Sequence, residues 1–134
     1  MKPELITFLI DDDADDQEIF SMVLQEVYDR AKCFFADDGF AALQKIKANA
    51  SFLPHLIFID INLPGMNGIQ CLDEIKKIKR LKDIPVYMYS TSAEKAIVNE
   101  CRERGAAGFL KKRVYTDDLK SDLIKIISLL KKPM

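Results

Sequence analysis

The sequence predicts an α/β protein whose centre is a doubly wound, five-stranded parallel sheet. Short apolar runs rich in β-branched and aromatic residues alternate five times with segments whose apolar residues recur at helical spacing. Such strand and helix units, joined by right-handed crossovers, form a parallel sheet covered by helices on both faces. A chain of 134 residues, 49% of them hydrophobic, is long enough for one core and too short for two. We therefore expect a single domain over residues 1–134.

The run from Leu56 to Asp60 predicts the central strand. Its residues are large and apolar up to the last position, which is typical of a strand buried on both faces of a parallel sheet. Pro64 and Gly65 then turn the chain. Asp60 therefore lies at the carboxyl end of the strand, where the ligands of open α/β sheets bind.

The other strands are predicted from short apolar runs, and the helices from apolar residues at helical spacing. We predict four further strands, at Ile6–Ile10, Lys32–Ala36, Val86–Tyr89 and Phe109–Lys111. The first four helices are expected to begin near Asp15, Phe40, Ile69 and Ala93, and Thr116 is predicted to be the N-cap of the fifth. The fourth helix, roughly Ala93 to Arg104, has a thin apolar stripe, so we expect it to be weakly anchored and able to move.

Charge and cysteine content exclude several classes of function. The chain has 20 basic and 21 acidic residues, so it has no overall positive field to hold nucleic acid or an anionic membrane. Its three cysteines form no metal-binding pattern with the single histidine, which indicates free thiols in a reducing compartment. No apolar run reaches transmembrane length. We expect a cytoplasmic protein with neither a nucleic-acid nor a membrane partner.

Polar side chains at the predicted carboxyl ends of the strands form one constellation. Asp11 and Asp12 follow the first strand, Asp60 ends the third, Ser90 and Thr91 follow the fourth, and Lys112 follows the fifth. In the flavodoxin-like strand order 2-1-3-4-5, strands one and three are neighbours, so three carboxylates converge. Their repulsion favours a hard divalent cation with oxygen ligands, and Mg²⁺ fits.

An aspartate carboxylate can also act as a nucleophile and accept a phosphoryl group. Phosphoryl transfer needs charge neutralisation and positioning more than covalent assistance. A metal ion, a lysine and a hydroxyl group around Asp60 are therefore a sufficient set. His55 lies where the central strand begins, far from these groups, and is expected to be structural. A donor histidine would then belong to another protein.

Four motifs occur in a fixed order along the chain. They are an Asp-Asp pair after the first strand, the run Asp60–Gly68, Ser90-Thr91 after Ile84-Pro85-Val86, and Gly105–Phe109 followed by Lys112. In these motifs the chain resembles the receiver domain of bacterial two-component response regulators, over nearly its whole length. It is most similar to single-domain, chemotaxis-regulator-like members that lack an output domain, and more loosely to a subgroup partnered with phytochrome-like kinases.

The resemblance implies a phosphoryl acceptor and a metal site. Asp60 would accept a phosphoryl group from a sensor histidine kinase or a phosphotransfer protein. Asp11, Asp12 and Asp60 would bind Mg²⁺ together with the backbone carbonyl of Asn62. Such a protein catalyses its own phosphorylation and dephosphorylation and turns over no external metabolite.

The resemblance also implies a switch and a docking face. Ser90 would donate its hydroxyl to the phosphoryl group, Lys112 would pair with its charge, and Phe109 would turn inward when Ser90 moves. A downstream protein would dock on the face formed by the fourth helix, the fifth strand and the fifth helix. The same face could self-associate, which implies a monomer or a weak homodimer.

Two positions depart from the family. Arg113 stands where the family usually has a proline after the lysine, so we predict a trans Lys112-Arg113 peptide bond, because cis bonds are costly before residues other than proline. Phe109 stands where the switch residue is often tyrosine, which leaves steric switching without a hydroxyl.

Two alternative functions stay open at this point. One is a phosphorylation-independent interaction module with a vestigial acidic pocket, which the missing Lys-Pro element favours. The other is a small aspartate-nucleophile phosphatase of the haloacid dehalogenase type. That chemistry uses a second carboxylate two residues after the nucleophile, and Asn62 at this position argues against it.

Overall fold

The computed structural model describes residues 2–130 and contains five strands and five α-helices that alternate along the chain. They are β1 (Leu5–Ile10), α1 (Ala14–Val27), β2 (Ala31–Ala36), α2 (Gly39–Ala48), β3 (Leu56–Asp60), α3 (Gly68–Lys76), β4 (Val86–Ser90), α4 (Lys95–Glu103), β5 (Gly108–Lys111) and α5 (Thr116–Ser128). A short 3-10 turn, Lys79–Leu81, follows α3. All pairings are parallel and the strand order is β2-β1-β3-β4-β5, which confirms the predicted fold class.

The central strand β3 is buried at all five positions, as its apolar composition predicts. Each face of the sheet carries its own apolar core. On one face, Ile57 and Ile59 pack in a cluster with residues of α2, α3 and α4. On the other face, Phe58 packs with residues of α1 and α5, and its ring meets Phe20 edge-on at 4.9 Å between centroids. The continuous run of large side chains in β3 therefore holds helices on both sides.

Side-chain caps fix where the first three helices begin. Asp13 accepts hydrogen bonds from two backbone N–H groups of α1, and Asp38 accepts one from α2. Asn67 and Gln70 form a reciprocal capping box at the start of α3. These caps place the three helix N-termini next to the carboxyl ends of the strands that precede them.

The last two helices lack such caps, and one sequence prediction fails there. Thr116 is the first residue of α5, whose N-cap is Tyr115 with no side-chain hydrogen bond, so the prediction of Thr116 as the N-cap is wrong. The helix α4 begins at Lys95, two residues later than expected, and Cys101 is its only buried residue. Its small contact with the core agrees with the thin apolar stripe seen in the sequence. The mobility of α4 stays a prediction.

Candidate functional site at the carboxyl edge of the sheet

Adjacent strands bring the two principal carboxylates together. Asp60 is the last residue of β3, and Asp11 directly follows β1, whose Ile10 is paired with Ile59. Asp11 is fully buried, Asp60 is 5% exposed, and the neighbouring Asp12 is exposed. One carboxylate oxygen from each of the three residues lies within 4.8 Å of the others. The convergence predicted from strand order is therefore present.

Lys112 places a positive charge at the centre of this group. It follows β5, and its backbone N–H donates to the carbonyl oxygen of Ser90 at 2.7 Å. Its Nζ lies 3.0 Å from Asp11 Oδ2 and 3.0 Å from Asp60 Oδ2. The expected contact between Lys112 and Asp60 is thus observed, although Arg113 replaces the family proline.

A fourth carboxylate, Asp16, also contacts Lys112, and the sequence did not single it out. Its Oδ2 lies 2.8 Å from the lysine Nζ. Asp16 belongs to the first turn of α1, where acidic residues are common because they favour the positive end of a helix. Its place in the helix that begins beside Asp11 was the signal in the sequence that could have placed Asp16 near the site. The lysine ammonium therefore has three carboxylate partners.

Burial and charge shift the protonation of both Asp11 and Lys112. Burial raises the pKa of Asp11 to about 6, although a hydrogen bond from the Asp13 N–H and the nearby Lys112 both work against the rise. Burial also disfavours the charge on Lys112, but the nearby carboxylates of Asp16, Asp11 and Asp60 outweigh it and raise the lysine pKa. The lysine is therefore charged throughout the physiological range.

The donor set suits a hard divalent cation. Asp11 Oδ2 is buried and accepts no hydrogen bond of good geometry within residues 2–130, so one lone-pair direction is unsatisfied. Three converging carboxylates offer oxygen ligands at the spacing of a metal site. Asp11, Asp12 and Asp60 therefore fit Mg²⁺. Asn62 donates its backbone N–H to Asp60 Oδ1 at 3.0 Å, which ties the following loop to the site.

Ser90 and Phe109 are the two residues that the family resemblance assigns to a switch. Ser90 ends β4, is buried, and accepts a long 3.4 Å hydrogen bond from the Ser92 N–H. No hydrogen bond joins Ser90 to Asp60 within residues 2–130. Phe109 lies in β5, is half-buried, and packs against the core on the face of α2, α3 and α4. Ser90 therefore lies at the carboxyl edge on the strand next to β3, and Phe109 lies on the following strand.

The loop after β3 packs so tightly that only glycine fits where α3 begins. The Gly68 N–H donates to the Ile61 carbonyl at 2.8 Å. A Cβ atom at Gly68 would lie 2.3 Å from the Asp60 carbonyl oxygen, far inside van der Waals contact. Gly65 has a φ of 73°, a left-handed conformation that favours glycine. These two glycines fold the loop directly over the end of β3.

The loop after Lys112 connects β5 to α5 through Arg113, Val114 and Tyr115. No cis peptide bond occurs in residues 2–130, so the predicted trans Lys112-Arg113 bond is confirmed. Arg113 Nε donates to Asp122 Oδ2 at 2.8 Å, and a second guanidinium nitrogen lies 3.3 Å from Oδ1. This pair ties the loop to α5 and leaves Val114 and Tyr115 exposed on the surface.

The strand order 2-1-3-4-5 and the charged groups at the carboxyl edge define an α/β domain with an acidic pocket of the metal-binding type. The chain matches the response regulator receiver domain family over residues 7–124 and belongs to that family. It is therefore a receiver domain of the two-component type, similar to the chemotaxis response regulators.

Individual relatives and solved structures agree with this assignment. Two-component response regulator ORR5 from Oryza sativa is 31% identical over 110 residues, which covers 82% of this chain and 79% of the relative. The phosphorylated cyanobacterial phytochrome response regulator RcpA superposes with a TM-score of 0.85 at 26% identity, covering 98% of this chain and 100% of RcpA. The Mn²⁺-bound form of response regulator Rcp1 gives 0.78 at 28% identity, with coverage of 98% and 100%.

No helix between residues 2 and 130 is long and apolar enough to span a membrane.

Proposed function

We propose that this receiver domain accepts a phosphoryl group on Asp60 from a sensor histidine kinase or a phosphotransfer protein, in a Mg²⁺-dependent step, and signals by docking to a protein partner. One observation carries the proposal. The Asp60 carboxylate is nearly buried at the centre of the carboxyl edge, between the Lys112 ammonium and the carboxylates of Asp11 and Asp12. This is the set of charges that phosphoryl transfer to a carboxylate requires.

The side chains support a simple displacement. A carboxylate oxygen of Asp60 forms the new bond to phosphorus while the bond from phosphorus to the donor nitrogen breaks, and the departing imidazole takes up a proton. Bound Mg²⁺, held by Asp11, Asp12 and Asp60, would neutralise charge on the phosphoryl oxygens. Lys112, already 3.0 Å from Asp60, would pair with one of those oxygens. The Asn62 N–H orients the carboxylate through Oδ1.

The switch we propose joins this chemistry to the partner face. A phosphoryl group on Asp60 would attract the Ser90 hydroxyl, and the space that Ser90 leaves would admit the half-buried Phe109 ring. The helix α4 lies next to this path and has only Cys101 buried. A weakly held helix repacks at small energetic expense, so the surface of α4, β5 and α5 would change on phosphorylation.

Labelling with acetyl phosphate and Mg²⁺ tests the proposal. We expect close to one acid-labile phosphoryl group per wild-type chain and none in Asp60→Asn, whose amide is not an anionic nucleophile. The control Asp83→Asn changes an exposed aspartate at the opposite edge of the sheet and should label like wild type.

The same experiment separates the alternatives. Rapid release of free phosphate with little stable label would support the phosphatase, which Asn62 disfavours because it cannot act as a second carboxylate. No label in wild type would support the phosphorylation-independent module. Equal labelling of wild type and Asp60→Asn would overturn the assignment of Asp60.

A further inference from the structure

The nearest carboxylate to Lys112 is one that plays no part in the candidate metal group. Asp16 Oδ2 lies 2.8 Å from the lysine Nζ, against 3.0 Å for Asp11 and for Asp60. The group able to hold a metal ion contains Asp11, Asp12 and Asp60 but not Asp16. We propose that Asp16 is a positioning residue that holds the Lys112 ammonium beside the metal group, so that the lysine and Mg²⁺ can serve Asp60 together. This inference rests on the proposed function.

The need for such a residue follows from competition between two cations. The Lys112 ammonium contacts Asp11 Oδ2 and Asp60 Oδ2, which belong to the same two carboxylates that would bind the ion. A divalent ion and an ammonium group in contact with the same buried carboxylates repel each other strongly. Binding of Mg²⁺ therefore requires the ammonium to give up at least part of these contacts.

Asp16 allows the Lys112 ammonium to give up its contacts with Asp11 and Asp60 without losing all of its carboxylate partners. A lysine ammonium has three N–H donors, and here it hydrogen-bonds to Asp16 and Asp60 and lies at ion-pair distance, 3.0 Å, from Asp11. When Asp11 and Asp60 turn to the ion, Asp16 keeps one contact and offsets the burial of the ammonium. Without Asp16, the described ion pairs of Lys112 would be limited to the two metal-binding carboxylates.

The surroundings hold both partners in place. The Asp13 side chain accepts the N–H groups of Asp15 and Asp16, which fixes the backbone of Asp16 in the first turn of α1. The Lys112 side chain is 14% exposed, and its Nζ lies 5.2 Å from the centre of the buried Tyr89 ring. The ammonium therefore has a short path between Asp16 and Asp60 and little access to solvent.

The test measures Mg²⁺ affinity from the rise in melting temperature during a Mg²⁺ titration. We expect Asp16→Asn to weaken Mg²⁺ binding about three- to fivefold, the scale of one partly exposed ion pair. Asp15→Asn is the matched control, because it removes the same charge from an exposed neighbour in the same helical turn. It should change the affinity less than about twofold. Asp16→Glu should restore most of the wild-type affinity.

A double-mutant cycle shows whether Asp16 acts through the lysine. In a Lys112→Met background the competing ammonium is absent, so adding Asp16→Asn should change Mg²⁺ affinity less than about twofold. Equal effects of Asp16→Asn with and without Lys112 would overturn the inference, as would equal effects of Asp15→Asn and Asp16→Asn. The melting transition of each variant shows that the variant is folded, so the cycle compares folded chains.

Acetyl phosphate labelling supplies the second readout. In Asp16→Asn the Mg²⁺ concentration for half-maximal labelling rate should rise, while the rate at saturating Mg²⁺ stays within about twofold of wild type. A lowered saturating rate with an unchanged half-maximal concentration would overturn the inference. Wild-type labelling with no effect of Asp16→Asn would remove this inference alone, whereas no labelling of wild type would remove the proposed function as well.

Discussion

The polar groups at the two ends of β1 and β3 differ in how completely they are hydrogen-bonded. At the amino edge, the His55 N–H donates to the Ile6 carbonyl at 2.7 Å, and the Ile6 N–H donates to His55 Nδ1 at 2.9 Å. A neutral imidazole thus completes the hydrogen bonds between the strands. At the carboxyl edge, the same two strands lead to Asp11 and Asp60, whose carboxyl groups are buried. One edge satisfies its polar groups, and the other keeps a carboxylate oxygen unsatisfied.

The difference shows that the carboxyl edge, unlike the amino edge, holds buried acidic groups whose polar atoms are not all satisfied. Burial of Asp11 raises its pKa to about 6, so its ionised form is disfavoured in the folded state. Lys112 compensates only in part, because its single charge faces three carboxylates. A divalent ion or a change in the lysine contacts would compensate the remaining negative charge. Perturbed groups of this kind mark functional sites more often than structural ones.

The largest expected change in stability tests how tightly the loop after β3 packs at the carboxyl edge. Gly68→Ala should destabilise the protein by about 3 kcal/mol or more, because the new Cβ would lie 2.3 Å from a backbone oxygen that cannot move freely. Gly39→Ala is the matched control, since Gly39 is also the first residue of a helix. Its Cβ would meet the flexible Met66 side chain at 2.9 Å, and we expect a change within about 1 kcal/mol. Urea denaturation measures both.

Equal stabilities of Gly68→Ala and Gly39→Ala would contradict this picture. They would mean that the loop after β3 can lift away from Asp60 and that the carboxyl edge is not tightly packed.

A smaller effect tests the charge imbalance at the carboxyl edge. An ion that binds only the folded state adds RT ln(1 + [L]/Kd) to stability, about 1.4 kcal/mol at ten times Kd. We expect Mg²⁺ to raise the melting temperature of wild type through Asp11, Asp12 and Asp60. Asp12→Ala should reduce the rise, because Asp12 is an exposed member of the metal group. Calorimetric scans at increasing Mg²⁺ concentration check the effect.

An equal Mg²⁺ response in wild type and Asp12→Ala would show that the ion binds elsewhere. The control Asp83→Asn removes an acidic charge at the amino edge and should leave the response unchanged.

The smallest effect concerns the amino edge and pH. Burial lowers the pKa of His55 in the folded protein, although Glu4 acts in the opposite direction. The unfolded chain therefore takes up the proton first, so the stability contributed by neutral His55 is full above about pH 6.5 and is lost as pH falls below it. His55→Asn keeps an acceptor near the position of Nδ1 but cannot titrate, so its stability should fall less between pH 7 and pH 5.

The comparison of the two chains isolates His55, because every carboxylate is shared by wild type and His55→Asn. Parallel curves of unfolding free energy against pH would mean that His55 is protonated equally in the folded and unfolded states.

The failed and missed predictions have a common physical cause. The predicted N-cap of α5, Thr116, lies one residue after the observed N-cap, Tyr115, because Thr, Asp and Asp at a helix start fit several registers and local preference does not select one. Asp16 was missed because the sequence does not show which side chain of a helix contacts a lysine 96 residues later. Both depend on how α1 and α5 pack on the sheet.

Residue patterns along the chain were enough to predict the alternation of strands and helices, the buried central strand, and the convergence of Asp11, Asp12 and Asp60. These follow from periodicity and from the rule that parallel strands end at one edge of the sheet, so they need no knowledge of side-chain directions. Only the tertiary structure decided that Lys112 contacts Asp16 and that Gly68 lies against Asp60. Those contacts depend on sheet twist and on helix approach within an ångström, which residue spacing along the chain does not encode.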